Sequence, residues 1–393
     1  MPVNIVNIEL PLHASGRQLL TSRFACVILL VVACIGGCRT AEPSLSEPSP
    51  LESIIERPGL IPLQAFASLP LVQTMSLSPS GAYLASIQNV GTKTYLVTTT
   101  HDGKELRRIL ECDNATFVIK WFRWINDERL LVGVHVADVN SERIFDLKWV
   151  QTRLFAINRD GSNLKTDLIS LDFDGRAFLH GKIPQIQDAV IGTIPGNDRA
   201  VLIALDLKSS TYPDIFKLDV YTGERELVER NMYGIRNWIM DQQGVIRLGS
   251  AIEGTTIHHL VKPLGSNSWR TLSKFDVTRG TGMTPLGFDE DPNILFVSQP
   301  LDGREAIYRL DLSKPDVPAT LLSSHPVYDA EGGLIYFRWL KRVVGIHSDG
   351  EKKVYWNSEA KGLQTRIDLA LPGRINVIHS SSKDGRRHVV ASG

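Results

Sequence analysis

The chain has 393 residues, 43% hydrophobic and 22% charged, enough apolar material for a large core and far from disordered or fibrous compositions. Its 43 basic and 43 acidic residues cancel, and no run of five consecutive Lys/Arg occurs, so no global field draws it to nucleic acid.

In chain order, the first element is a targeting segment. Arg17 and Arg23 precede a charge-free apolar stretch from Phe24 to Gly37. Positive charge followed by a short apolar run is the pattern of a signal peptide. The stretch falls short of the roughly 20 apolar residues of a membrane span. It ends in Ile35-Gly36-Gly37-Cys38, which resembles a bacterial lipobox. Small residues at 36 and 37 let a peptidase reach the backbone, and the Cys38 thiol accepts the lipid. Residues 1–38 are therefore expected to be a signal peptide with a lipidation site at Cys38, a plain signal peptide or an uncleaved anchor being the alternatives. The expected location is the bacterial envelope, with Arg39 compatible with outer-membrane sorting in a Gram-negative cell. Cys26 and Cys34 leave with the signal, so Cys112 remains alone and no intramolecular disulfide is expected. A lone Cys112 reads as a small buried side chain.

Residues 39–60 are rich in Pro, Ser and Glu (AEPSLSEPSPLESIIERP from residue 41). Such a segment buries too little apolar surface to order itself and reads as a tether. From residue 61 to 393 the texture is all-β: short runs of Val, Ile, Leu, Tyr and Trp alternate with Gly-containing turns, with almost no helical periodicity. The turns include Pro79-Ser80-Gly81, Asp102-Gly103, Asp160-Gly161, Thr222-Gly223, Gln243-Gly244, Asp302-Gly303, Asp349-Gly350 and Asp384-Gly385. Gly there supplies the positive φ of tight hairpins.

The runs group into repeating units of roughly 45 residues, the period of a four-stranded propeller blade. Six openings are traced: MSLSPSGAYLA from Met75, KWFRWINDERLL from Lys120, AVIGT from Ala189, NWIMDQQGVIR from Asn237, PLGFDEDPNILF from Pro285 and GLIY from Gly333. Further aromatic-bearing strands are expected at Thr94–Thr98, Thr152–Asn158, Asp214–Val220, Glu305–Leu310 and Lys353–Trp356. A seventh unit opens at Ile375, turns at Asp384-Gly385 and has a second strand at Arg387–Ala391. The expectation is a seven-bladed β-propeller with its last blade truncated, an exposed edge, and an isolated chain that is oligomeric or poorly soluble.

Catalytic signatures are sought and not found. No G-x-S-x-G elbow occurs; in Gly345-Ile-His-Ser348-Asp-Gly350 the serine is one residue out of register. His258 and His259 are adjacent, which on a strand sends their rings to opposite faces, so they do not chelate one ion. No C-x-x-C, H-E-x-x-H or P-loop is present, and Gly280-Thr-Gly282 lacks a third Gly. No catalytic, metal or cofactor residue is assigned and no cofactor is expected. Asn114-Ala-Thr116 matches a glycosylation acceptor, read as accidental beside a bacterial lipobox. Trp121, Trp124, Trp149, Trp238 and Trp356 either line a ligand surface or fill blade cores, the latter preferred.

Several of these stretches resemble the prolyl oligopeptidase family of serine peptidases, in particular bacterial dipeptidyl-aminopeptidase and acylaminoacyl-peptidase members. IPLQAFASLP (residues 61–70) with the segment from Ser76 to Ala85 looks like the family's approach to its first blade. The Lys120 opening resembles the second; Asp219-Val-Tyr-Thr-Gly, Asp241 to Arg247 and Val343 through Leu371-Pro-Gly-Arg resemble later segments. The likeness spans residue 61 to the end. It implies a propeller that filters peptides for an α/β-hydrolase domain. No position here corresponds to that domain's nucleophile, acid or His, so the resemblance implies a non-catalytic gating region inactive alone. The alternative is a stand-alone envelope lipoprotein, TolB-like, that binds protein partners. Partners expected are peptides, a hydrolase domain or an envelope protein, and the membrane through the lipid; nucleic acid is not.

Overall fold

The structure is a computed structural model describing residues 15–16, 69–137, 150–170, 183–207, 212–280, 282–314, 316–330, 332–347 and 353–393. Cys38, the tether, Trp149, Ser348 and the Asp349-Gly350 turn lie outside these residues.

The regular structure of the described chain is strand, with one helix. A two-residue strand, β1 (Ser15–Gly16), precedes seven antiparallel sheets. Sheet 1 is the meander β2 (Val72–Leu77), β3 (Tyr83–Val90), β4 (Lys93–Thr100) and β5 (Arg107–Cys112). Sheet 2 comprises β6 (Phe117–Trp124), β7 (Arg129–Ala137) and β8 (Val150–Asn158). Sheet 3 contains β9 (Val190–Thr193), β10 (Ala200–Leu205), β11 (Asp214–Asp219) and β12 (Arg225–Glu229). Sheet 4 follows with β13 (Ile235–Met240), β14 (Ile246–Glu253), β15 (Thr256–Val261) and β16 (Arg270–Asp276). In sheet 5 the strands are β17 (Thr284–Phe288), β18 (Ile294–Leu301), β19 (Arg304–Asp311) and β20 (Ala319–Ser323). Sheet 6 has β21 (Leu334–Phe337), β22 (Arg342–His347) and β23 (Lys353–Tyr355), with β1 on the other edge of β21. Sheet 7 is the pair β24 (Asn376–Ser381) and β25 (His388–Ser392). The seven openings read from the sequence fall on the first strands of the seven sheets.

The second strand of most sheets is apolar on both faces; all six residues of β10 are buried. Such a strand needs a neighbour on each side, and the cores supply them. Ile87 and Leu96 of sheet 1 pack with Ile119 and Val132 of sheet 2. Leu131 and Leu154 of sheet 2 meet Val201 and Leu218 of sheet 3. Leu202 and Ile215 of sheet 3 meet Ile235 and Trp238 of sheet 4. Leu248 of sheet 4 packs on Leu295 and Val297 of sheet 5. Phe296 of sheet 5 meets Val343 of sheet 6, and Val344 and Tyr355 of sheet 6 meet Ile378 and Val390 of sheet 7. Val389 of sheet 7 then packs against Leu77 and Leu84 of sheet 1. The succession of shared cores returns to its start.

Hydrogen bonds repeat this order at one end of the strands, where each first strand turns into its second. Ser80 N–H donates to Asp127 Oδ1 of the next sheet (2.9 Å), and Asn126 Nδ2 to the Asp198 carbonyl (2.9 Å). Gln242 and Gln243 donate to the carbonyls of Phe288 and Glu290 (3.0 and 2.8 Å), and Val343 N–H to Asp289 Oδ1 (2.8 Å). Lys383 N–H reaches the Pro79 carbonyl (2.7 Å) and Arg387 Nη1 the Gly81 carbonyl (3.1 Å), joining sheet 7 to sheet 1. Gly81 has φ +75°, and a Cβ there would lie 2.8 Å from Ser382 Cβ, so the residue is fixed both by backbone and by the approach of sheet 7.

One helix departs from the all-β expectation. Helix α1 (Ser358–Ala370) joins sheets 6 and 7, with Asn357 Oδ1 accepting from Glu359 and Ala360 N–H at its start. Ala360, Leu363 and Ile367, spaced i, i+3, i+7, bury one face in the core between those sheets. Among the described residues no strand pairs with the outer edge of β25.

Candidate functional site

First strands adjoin one another along part of the array: β13 touches both β9 and β17, and β2 touches β24. Their pairing with the second strands is interrupted in a repeating way. In six sheets the register skips one residue of the first strand: Gln73, Lys120, Ile191, Arg236, Leu286 and His379. A bulge leaves its extra residue out of the ladder and re-aims the side chain. Gln73, Lys120, Arg236 and His379 are exposed, whereas Ile191 and Leu286 pack against the cores between sheets. Gln73, Lys120 and Arg236 stand four residues before the ends of their strands (Leu77, Trp124 and Met240). Ile191, Leu286 and His379 stand two before theirs (Thr193, Phe288 and Ser381).

The other end of the strands holds the loops that lead into each sheet. Here apolar side chains face water: Leu71, Met232, Tyr233, Val277, Tyr328 and Ile375, with Met232 at 73% and Tyr328 at 66% exposure. Between sheets 6 and 7 lies a basic group. Lys353 Nζ donates to the Ile378 carbonyl, and burial lowers its pKa to about 8. Burial, then Lys353 and His379, push His347 down to about 4.

Two Ser–His contacts invite a catalytic reading that their geometry refuses. Ser381 Oγ lies 2.6 Å from His388 Nδ1 and Ser250 Oγ 2.8 Å from His259 Nδ1. Each pair faces across adjacent strands, Ser381 opposite His388 and Ser250 opposite His259. A general base for serine presents Nε2 to the hydroxyl and anchors Nδ1 on a carboxylate. In both pairs the serine takes Nδ1, and Nε2 is buried without a hydrogen-bond partner. They are cross-strand contacts. Sequence reading missed them because they depend on register.

The residues singled out from the sequence are not brought together. Cys112 is 2% exposed, its Sγ 3.3 Å from Asn114 Oδ1. His259 is buried while its neighbour His258 lies 3.5 Å from Glu253. The described tryptophans tie sheets together. Trp124 Nε1 donates to the Ser76 carbonyl (3.2 Å), Trp121 Nε1 to Asp188 Oδ2 (3.0 Å) and Trp356 Nε1 to the Val343 carbonyl (3.1 Å). Trp238 packs edge-on against Trp269 in the core. Among the described residues, no group of three His, Cys, Asp or Glu could hold a metal, and no helix is long and apolar enough to cross a membrane. An open depression of about 440 Å³ is lined by Thr256, Lys274, Phe275, Asp276, Arg279 and Gly280.

No family model matches the chain, and neither does any curated protein. Among solved structures, a prolyl endopeptidase shares 11% identity at a TM-score of 0.45, over 67% of this chain and 37% of that one. An acylaminoacyl peptidase in complex with Z-Gly-Gly-Phe-chloromethyl ketone shares 12% at 0.38, over 76% and 46%. TolB from Acinetobacter baumannii shares 11% at 0.31, over 65% and 55%. The chain thus spans less than half the length of either peptidase. At these values no site residue is transferred from a neighbour, and the description of the sheets rests on their own cores and registers.

Proposed function

We propose that the chain is an exported, lipid-anchored, seven-bladed β-propeller that gates peptides for a prolyl-oligopeptidase-like serine hydrolase. The observation that carries this reading is the succession of antiparallel sheets whose shared cores lead from the first to the seventh and back to the first, as in a propeller. The axis of a propeller can admit an extended chain and refuse a folded protein. The apolar lead-in loops offer a surface for a protein partner, which suits a hydrolase domain and equally favours the second reading, an envelope scaffold of the TolB kind. Export and anchoring follow from the lipobox at Cys38.

The test is binding by the full lipidated chain in detergent. The gating reading expects labelled five-residue peptides to bind and small folded proteins to be refused, with no hydrolysis of aminoacyl or dipeptidyl chromogenic substrates by the chain alone. Binding of folded envelope proteins with no binding of peptides would overturn it in favour of the scaffold. Cys38→Ala is expected to move the protein out of the membrane fraction, and unchanged fractionation would contradict the anchor.

A further inference from the structure

Three basic side chains meet between sheets 6 and 7 and are given no acid. His347 and Lys353 are direct partners across β22 and β23, which puts their side chains on one face with Cβ atoms about 5 Å apart. That face looks toward sheet 7, because Lys353 Nζ donates to the Ile378 carbonyl of β24. Tyr355, two residues further along β23, packs in the same core with Ile378 and Val390. His379 follows Ile378 directly and is the residue left out of the β24–β25 ladder. His379 is exposed while His347 and Lys353 are half-buried, so a solute reaches the cluster from the His379 side.

A lysine ammonium has three N–H donors, and the Ile378 carbonyl takes one. The charges that act on His347 are those of Lys353 and His379, and among the described residues no carboxylate acts on His347 or Lys353. The other titratable groups around them are engaged elsewhere. On α1, Asp368 accepts from Gln364 Nε2 (2.9 Å) and Asn376 Nδ2 (3.1 Å), while Lys361 and Arg366 face water. The Tyr336 hydroxyl of β21 donates to Glu290, and His388 of β25 has Ser381 Oγ at its Nδ1 (2.6 Å). Tyr355 is buried in the core, and Arg342 stands at the opposite end of β22 from His347. A tie between two sheets needs only the Lys353 bond to Ile378. Two histidines beside it add repulsion once charged, and an anion among the three removes that cost.

We propose that this cluster binds a tetrahedral oxyanion, a phosphate ion or phosphate monoester, through the two remaining Lys353 N–H groups and through His347 and His379, which take up protons as it binds. The site is separate from peptide gating and does not depend on it. Two features select this chemistry. Donors arrive from two sheets, and a tetrahedral anion offers oxygens in three directions where a planar carboxylate offers two in one plane. A charge near −2 also meets one standing cation and two that protonation creates, whereas a monoanion is matched by Lys353 alone. Burial, then Lys353 and His379, hold the His347 pKa at about 4 in the empty cluster. An anion in contact opposes the effect of both neighbours, so binding and protonation strengthen each other.

The experiment is calorimetric titration of the full lipidated chain in detergent with inorganic phosphate, glycerol phosphate, sulfate and acetate at constant ionic strength. Histidine Cε1–H resonances are followed by NMR in the same samples. The three tetrahedral anions are expected to bind about tenfold more tightly than acetate. Sulfate, whose charge stays at −2 across the titration, is expected to raise the His347 midpoint by about 1–3 pH units. Lys353→Met and His379→Ala each weaken sulfate binding about tenfold, and Lys361→Gln on α1 leaves it unchanged. Thermal melts identical to the parent show that the variants fold; His379→Ala, at an exposed side chain, carries the test if Lys353→Met melts early. Tighter binding of glycerol phosphate than of inorganic phosphate assigns the site to phosphate esters, the reverse order to the free ion, and either supports it. Acetate binding as tightly as sulfate overturns the tetrahedral anion. Binding that survives in both variants, or a His347 midpoint that sulfate does not move, overturns the assignment of these residues. Binding seen only after Asp349→Asn with Glu351→Gln means that acids of this chain fill the cluster, and overturns an external ligand. Failure of every anion to bind the folded chain overturns the site and leaves peptide gating standing.

Discussion

The two ends of the sheet array are built from the same repeat and differ in what their polar and apolar groups do. At the turn end, Ser80, Asn126, Gln242, Gln243, Asp289 and Lys383 spend their hydrogen bonds on the next sheet. At the lead-in end, loops expose Met232, Tyr233 and Tyr328 to water. A group already satisfied by a neighbour holds the fold together and has little left for a ligand, whereas an exposed apolar side chain gains from a partner. The turn end therefore holds neighbouring sheets together, while the lead-in end keeps its apolar side chains exposed.

Asp241 gives the largest expected effect. Its Oδ1 accepts from Gln243 and Val245 N–H (3.0 and 2.9 Å), and its Oδ2 pairs with Arg247 in the interior. Asp241→Ala leaves a buried guanidinium without its carboxylate, a loss of about 3–5 kcal/mol in urea unfolding; a loss under 1 kcal/mol would contradict the division between the ends.

Acid comes next. His388, 7% exposed, has its pKa lowered to about 4, first by burial, against about 6.5 unfolded. Because the native state holds it neutral, its contribution is whole above pH 6.5 and is lost as pH falls toward 4, up to about 3 kcal/mol. Unfolding free energy measured between pH 7 and 4 is expected to fall in that window and to fall less in His388→Phe.

A pair of glycines separates backbone strain from sheet-to-sheet packing. Gly81 at the turn end and Gly91 at the opposite end both have positive φ, but a Cβ on Gly91 meets nothing within 4 Å. Gly91→Ala reads the strain alone, about 1 kcal/mol, and Gly81→Ala is expected to cost about 1 kcal/mol more through Ser382. Equal costs would mean that sheet 7 does not press on sheet 1. The smallest change is expected for Met232→Ser, within about 0.5 kcal/mol, together with weaker retention on a hydrophobic column.

Much of the array was legible because its signals are local. Gly after Asp, Ser, Thr or Gln marks a hairpin, and Gly81, Gly103, Gly161, Gly223, Gly244, Gly303 and Gly385 all take positive φ. The openings at Met75, Lys120 and Pro285 announce first strands through apolar runs before a turn. What depends on pairing was not legible. The bulges at Lys120 and Arg236 exist only relative to the strand opposite. Arg129, 1% exposed, reads as an ordinary surface arginine. Only the fold brings it the carbonyls of Val220 (3.0 Å) and Asn163 (2.8 Å) and the Tyr221 ring, 4.9 Å away. Helix α1 was readable and missed: Asn357 before Glu359, apolar residues at 360, 363 and 367, and Pro372-Gly373 beyond form a complete helix signal that an all-β texture overshadowed.

The central claim is that sheet 7 is held between sheets 6 and 1, closing the succession of cores. Hydrogen exchange of the full chain tests it most directly. Leu77 N–H donates to Ser380 Oγ across the seam (3.0 Å), and Val389 and Val390 are buried. Amides of Leu77 and of Ile378 through Val390 within the strands are expected to exchange with protection equal to that of β10. Protection of β10 with exchange of Asn376–Ser392 at the rate of an unfolded chain would contradict the closure.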